Sequence, residues 1–171
     1  MIRYVLSKNA KILFVGINPH YGSYSRGVPF SNNKMFWYLL NRSGIIHEDI
    51  AQLRDDRSLK QIYTGKFLPV YNLNFTNIVT RPSRNVSQLR RGEEEAGRKR
   101  VLHFISVNNP KVVCFIGKIT YSKFKGSDGF KFGWQENIHN SRAYVMHFPI
   151  RGRAVVRIKE LRGIDRVARH G

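Results

Sequence analysis

Acidic residues are scarce in this chain: Asp and Glu number 11 against 30 Lys and Arg, a formal charge of +19 over 171 residues. That imbalance exceeds what solubility requires and points a folded domain toward a polyanion, whether DNA, RNA or an anionic membrane. Cysteine is nearly absent. The lone Cys114 excludes a disulfide framework and a cysteine-based zinc finger, and in its apolar strand it reads as a small buried hydrophobe. His103 and His139 have no partner at metal-ligand spacing, so no metal site is expected. No apolar run approaches the ~18 residues of a transmembrane helix, and the N-terminus has no signal-peptide core. A soluble intracellular protein without a membrane partner is expected. The glycines between Gly22 and Gly27 lack the Lys-Ser/Thr of a P-loop, so no nucleotide cofactor is expected. Carboxylate pairs suited to a two-metal nuclease are also missing.

What is present suffices for a core. The 42% hydrophobic and 12% aromatic content excludes a disordered polycation. The length suits one domain spanning residues 1–171. Four short apolar runs read as strands: Lys11–Gly16, Phe75–Val79, Lys111–Gly117 and Arg142–His147. Runs apolar on both faces suit a parallel sheet covered by helices. Between them lie helical patterns at Lys34–Ser43, Glu93–Val107, Lys118–Phe124 and Lys159–Ala168. The Glu93-Glu94-Glu95 run reads as helix capping, because a helix N-terminus favours negative charge. Strands alternating with helices imply right-handed crossovers and a three-layer α/β/α sandwich on a four-stranded parallel sheet. Ligands in such sheets sit beyond the carboxyl ends of the strands. Attention therefore falls on the loops after Gly16, Val79, Gly117 and His147.

The first loop reads Gly16-Ile17-Asn18-Pro19-His20, followed by Gly22, Gly27 and Pro29-Phe30. Taken alone this is ordinary turn chemistry. The wider order is more specific. Gly-Ile-Asn-Pro, Gly-Val-Pro-Phe and then Phe36-Trp37 are followed by Phe75-Thr76-Asn77-Ile78-Val79, Arg81-Pro82, Ser87, Leu89 and Glu95-Ala96-Gly97-Arg98. Pro110-Lys111-Val112-Val113, Gly117-Lys118, Tyr121, Phe132-Gly133-Trp134-Gln135, Tyr144-Val145-Met146 and Ile158-Lys159-Glu160-Leu161-Arg162 complete the set. In this order, from about Lys11 to Arg162, the chain resembles the mismatch-specific uracil/thymine-DNA glycosylase family of the uracil-DNA glycosylase superfamily.

The resemblance implies the four-stranded parallel α/β fold of that family, a nucleotide flipped out of the duplex, and hydrolysis of its N-glycosidic bond. It makes Asn18 the side chain that positions the attacking water and Phe30 the ring that stacks on the flipped pyrimidine. The backbone around Ile17 and His20 would read the base edge, with Gly16, Pro19 and Asn77 completing the pocket. Flipping costs a few kcal/mol, which stacking and edge hydrogen bonds must offset. An amide is no base, but its oxygen accepts a hydrogen bond from water and fixes the approach to C1′. The expected chemistry is dissociative and favours good leaving groups.

The second motif departs from the family. Pro-Ser is replaced by Met146-His147-Phe148-Pro149-Ile150-Arg151-Gly152-Arg153. Ile150 and Arg151 become candidates for the wedge inserted into the base gap, and Arg153 for a phosphate contact. A plain basic loop is the alternative. His147 is similar to the strand-end histidine of other uracil-DNA glycosylases and becomes a second catalytic candidate. A neutral imidazole of fixed tautomer would donate to the developing base anion. Arg81, Ser83, Arg84 and Lys118 are expected against DNA, with Arg90 and Arg91 nearby and Arg157 beside Arg151 and Arg153.

These readings converge on a cofactor-independent monofunctional DNA glycosylase acting as a monomer. Its substrate would be uracil, with thymine as a second candidate, in G·U and G·T mispairs of double-stranded DNA. The alternatives are a same-scaffold enzyme for another deaminated base, one that also cuts the strand, and a non-catalytic DNA-binding module.

Overall fold

The computed structural model describes residues 1–4 and 6–170. Among them, five strands form one sheet: β1 (Ile12–Gly16), β2 (Leu73–Asn77), β3 (Val112–Ile116), β4 (Gly133–Ile138) and β5 (Ser141–Met146), in the order β2-β1-β3-β5-β4. The first four in that order, β2, β1, β3 and β5, run parallel, with Phe14 opposite both Phe75 and Cys114, and Cys114 opposite Tyr144. The expected four-stranded parallel core is present, and β4 adds a fifth strand to it, antiparallel, on the β5 edge. Its sequence, GWQENI, has no apolar run to reveal it. Trp134 instead packs edge-on against Tyr144 at 4.9 Å and holds the Arg142 guanidinium 4.6 Å above its ring.

The helices are α1 (Tyr21–Arg26), α2 (Met35–Arg42), α3 (Ile50–Arg54), α4 (Asp56–Gly65), α5 (Glu93–Asn108), α6 (Lys118–Lys125) and α7 (Ala154–His170). Strand alternation sorts the core into two layers. Ile12, Phe14, Val112, Cys114 and Ile116 face Phe36, Trp37, Leu39 and Leu40 of α2, Leu59 and Ile62 of α4, and Leu161 and Ile164 of α7. Leu13, Val15, Val113 and Phe115 face Val101 and Ile105 of α5 and Tyr121 and Phe124 of α6. Each such side chain contributes about 1.5–3 kcal/mol by leaving water. This two-sided burial explains why the strands read as continuous apolar runs. The short helices α1 and α3 were not expected, nor was α4, whose buried face is only Leu59, Ile62 and Tyr63. α7 starts five residues earlier than its apolar spacing suggested.

Two contacts connect core to function. Trp37 is fully buried, and its indole N–H donates to the Pro29 carbonyl at 2.7 Å, pinning the loop that bears Phe30. The parallel strands all end at one edge of the sheet, so the loops after β1, β2, β3 and β5 meet there. Among the described residues no helix is long and apolar enough to cross a membrane.

Candidate active site

Those four loops enclose a cavity of about 720 Å³, within the range of small-molecule sites and large enough for a nucleoside. Ile17, Asn18, Pro19, His20, Phe30, Asn77, Ser83, Arg84, Lys118, His147, Ile150 and Arg151 all line it, although they come from positions up to 134 residues apart. Gly16, Arg81 and Arg153 do not.

Gly16 lies behind the wall. A Cβ there would collide with Asn77 Oδ1, so glycine lets β1 and β2 close together under the cavity floor. Asn77 is buried and donates through Nδ2 to the Tyr4 hydroxyl at 2.9 Å. The Ile17 carbonyl accepts from the Val79 N–H at 2.8 Å, which ties the loop after β1 to the end of β2. His20 is the N-cap of α1: its Nδ1 accepts from the Gly22 N–H at 3.0 Å. A neutral ring so engaged carries its proton on Nε2.

The orientation of Asn18 follows from its neighbours. Its Nδ2 donates to Ser83 Oγ at 2.7 Å and to the Arg81 carbonyl at 3.1 Å. A carbonyl only accepts, and the Ser83 hydroxyl spends its single proton on the Asn85 carbonyl at 2.8 Å. The group facing both must be the amide NH2. Oδ1 is thereby turned elsewhere, without a protein donor among the described residues, on a side chain lining the cavity. It is a fixed acceptor with no useful basicity, suited to orienting a water rather than deprotonating it.

Phe30 holds a left-handed backbone, φ 53°, which is uncommon for a bulky residue and costs of order 1–3 kcal/mol. Its ring lies 4.9 Å from Phe36, 5.7 Å from Phe75 and 6.2 Å from Phe148. It is half-buried, braced from behind by the core while still facing the cavity.

His147 has a partner that sequence reasoning did not assign. Its Nδ1 lies 2.9 Å from Glu160 Oε1, which also accepts the His147 backbone N–H at 3.2 Å. Glu160 Oε2 accepts the Tyr144 hydroxyl at 2.9 Å. Burial, then the adjacent Glu160 charge, push the Tyr144 phenol far above its ordinary range, so it stays a donor. The His147 ring stacks on Phe132 at 3.6 Å, and Lys118 Nζ sits 4.8 Å from the Phe132 centroid. The expectation of a neutral imidazole donating into the cavity is corrected here. A carboxylate at Nδ1 requires the proton at Nδ1, so a neutral ring presents a lone pair at Nε2.

The arginines divide. Arg84 and Arg151 are exposed at the cavity rim, and among the described residues no carboxylate lines the cavity. Arg81, expected on phosphate, is instead tied to Glu93: Nε reaches Oε1 at 2.6 Å and Nη2 reaches Oε2 at 2.9 Å. The Arg81 guanidinium, with the Arg90 N–H, holds the Glu93 carboxyl down at about 2. Glu93 therefore does more than cap α5. Arg153 is exposed but lies outside the cavity lining, and Arg157 is buried. Ile150 projects at the mouth, 51% exposed. Phe132, Phe148 and Glu160 are site residues that sequence reading passed over. Only the acidity of Glu160 in so basic a chain was a signal.

Fold and cavity define the class: an α/β enzyme whose cleft lies at the carboxyl edge of its parallel strands, with a cationic rim. Residues 4–158 match the family model of the uracil DNA glycosylase superfamily, and the chain belongs to that superfamily. It is thus a DNA glycosylase of base excision repair that acts on deaminated bases.

Proposed function

We propose that the chain is a monofunctional, mismatch-type glycosylase, working as a single domain and a monomer. It flips uracil, and thymine as a second substrate, out of G·U and G·T mispairs and hydrolyses the glycosidic bond to leave an abasic site. The fixed amide of Asn18 carries this reading: its NH2 is committed to Ser83 and Arg81, so Oδ1 is left to hold a water beside the flipped nucleoside. Phe30 stacks on the base, a contact worth about 1–3 kcal/mol. The C1′–N1 bond breaks with its electron pair on the base, water then adds through oxygen to C1′, and its surplus proton passes through solvent to the base anion. Arg84, Lys118 and Arg151 contact phosphate, and Ile150 occupies the gap left by the flipped base.

Labelled duplexes carrying U, T, hypoxanthine or 5-substituted uracil opposite G test this. Alkali-dependent breakage of the U and T strands is expected. Breakage without alkali would mean strand cleavage, breakage confined to hypoxanthine would mean another base specificity, and a shifted band without breakage would mean a binder.

A further inference from the structure

We propose that the outer face of α7 is a second DNA-binding surface. It takes a duplex segment other than the one in the cleft and lets the enzyme pass between segments without first being released. This role lies beyond the glycosylase reading and does not depend on which base is excised. Lys159, Arg162, Arg166 and Arg169 recur at spacings of three and four residues, which puts them on one face of α7. All four are exposed. Leu161, Ile164 and Ala168 occupy the opposite face and are buried in the core. Arg42, at the end of α2, widens the stripe: its carbonyl accepts from Arg162 Nη2 at 3.4 Å, and the residue is exposed.

The acids of α7 do not dilute this stripe. Glu160 is turned inward onto the Tyr144 hydroxyl and the His147 ring, each at 2.9 Å. Asp165 binds Lys11 at 2.7 Å and Arg169 at 2.8 Å. Both carboxylates are largely covered, with side-chain exposures of 9% and 14%. Among the described residues, Arg42, Lys159, Arg162 and Arg166 have no ion pair. The corner between α3 and α4 differs, since Arg54, Arg57 and Lys60 are exposed there beside the exposed Asp55 and Asp56. Cations gathered without acids repel one another, and a polyanion relieves that repulsion. Neighbours one helical turn apart lie about 5–6 Å from each other, so their long side chains can reach neighbouring phosphates of one strand.

Topology separates this surface from the cleft. The loop before α7 lines the cavity as far as Gly152. α7 then runs back across the sheet to the opposite edge: Asp165 meets Lys11 immediately before β1, whose far end, Gly16, lies behind the cavity wall. The five residues of β1 span about 16 Å. Arg166 and Arg169 therefore sit a full strand length from the edge that faces the substrate duplex. That duplex would reach them only by bending round the flank, an elastic cost that a second segment does not incur. A second segment on α7 is held through phosphate and without regard to sequence. Release from the cleft then leaves the protein on DNA.

The test follows release of a fluorescent, undamaged short duplex from the full chain by stopped flow. Unlabelled duplex is added from about 1 to 100 μM, the range of non-specific affinities at physiological salt. The release rate is expected to rise several-fold over that range, because a ternary complex precedes release. Lys159→Gln, Arg162→Gln and Arg166→Gln combined should make the rate independent of competitor. Arg54→Gln, Arg57→Gln and Lys60→Gln combined remove the same charge from the α3–α4 corner and should keep the rise. Uracil release from a G·U duplex should be unchanged in both triple variants, which verifies their fold and cleft. Raising salt fourfold should weaken the second site about fortyfold, three contacts at a log–log slope of about −0.9 each. A wild-type rate independent of competitor overturns the proposal. So does a rise that survives in the α7 variant or is lost equally in the α3–α4 variant. Poly-glutamate that accelerates release as strongly as duplex at matched charge also overturns it and gives the face to acidic polypeptides. Absence of uracil release by the wild type would overturn the glycosylase reading alone.

Discussion

At the scale of single residues, the proposed mechanism works by removing freedom from side chains of low intrinsic reactivity. Asn18 has neither charge nor basicity, and its usefulness comes from an amide that cannot flip. Ser83 is central to that. It is buried, its N–H donates to the Pro19 carbonyl at 3.1 Å, and its hydroxyl bridges Asn18 and Asn85. Ser83→Ala removes one of the two strong acceptors of the Asn18 NH2 and keeps the Arg81 carbonyl. The expected result is a kcat about tenfold lower with an unchanged Kd for duplex DNA, since one such hydrogen bond is worth about 1 kcal/mol. Equal losses in kcat and affinity would place Ser83 on the DNA instead. The His147–Glu160 pair follows the same logic, with a carboxylate rather than a hydroxyl fixing the proton.

At the scale of elements, the segment from β2 to α5 sets the position of that machinery. α5 lies so close to the end of β2 that a Cβ at Gly97 would run into the Ile78 carbonyl, a backbone atom that cannot rotate away. Gly97→Ala should therefore destabilise by at least the ~1–3 kcal/mol of ordinary overpacking, measured by denaturant unfolding. The Arg81–Glu93 pair fastens the other end of the segment. The folded Glu93 carboxyl titrates near 2 rather than its ordinary 4.5. A lowered folded pKa contributes stability that is whole above 4.5 and disappears as pH falls through about 2. The pair is partly exposed at the surface, so the contribution is small and screened by salt. Thermal unfolding of Glu93→Gln should show a weaker loss of Tm between those two pH values than wild type. Identical acid limbs would remove the pair from the stability account.

At the scale of the whole molecule, charge and topology determine what the chain can bind. The excess of +19 predicts steep salt dependence on duplex DNA, with a log–log slope of about −0.9 per phosphate neutralised. Arg84→Ala and Arg151→Ala should each reduce that slope by about one contact. Arg81→Ala should leave it unchanged, because that guanidinium is spent on Glu93. A drop in slope for Arg81→Ala would return it to the phosphate-contacting set.

The parallel core was legible in the sequence because its strands are buried on both faces, and the loops followed because parallel strands share an exit edge. The edge strand β4 was not legible, since the half-exposed Gln135 and the exposed Glu136 leave no apolar run. Twelve of the residues singled out from chain order and from the family resemblance line one cavity. The partners of Arg81 and His147 could not, because Glu93 and Glu160 meet them only through the packing of α5 and α7.

The most direct test of the account is single-turnover release of uracil from a G·U duplex by Asn18→Ala, with duplex affinity measured on the same preparation. The expected result is a rate lower by at least about a hundredfold, the cost of a misplaced reactant, with affinity retained. Release at the wild-type rate would contradict the account, because no water held by Oδ1 would then be needed.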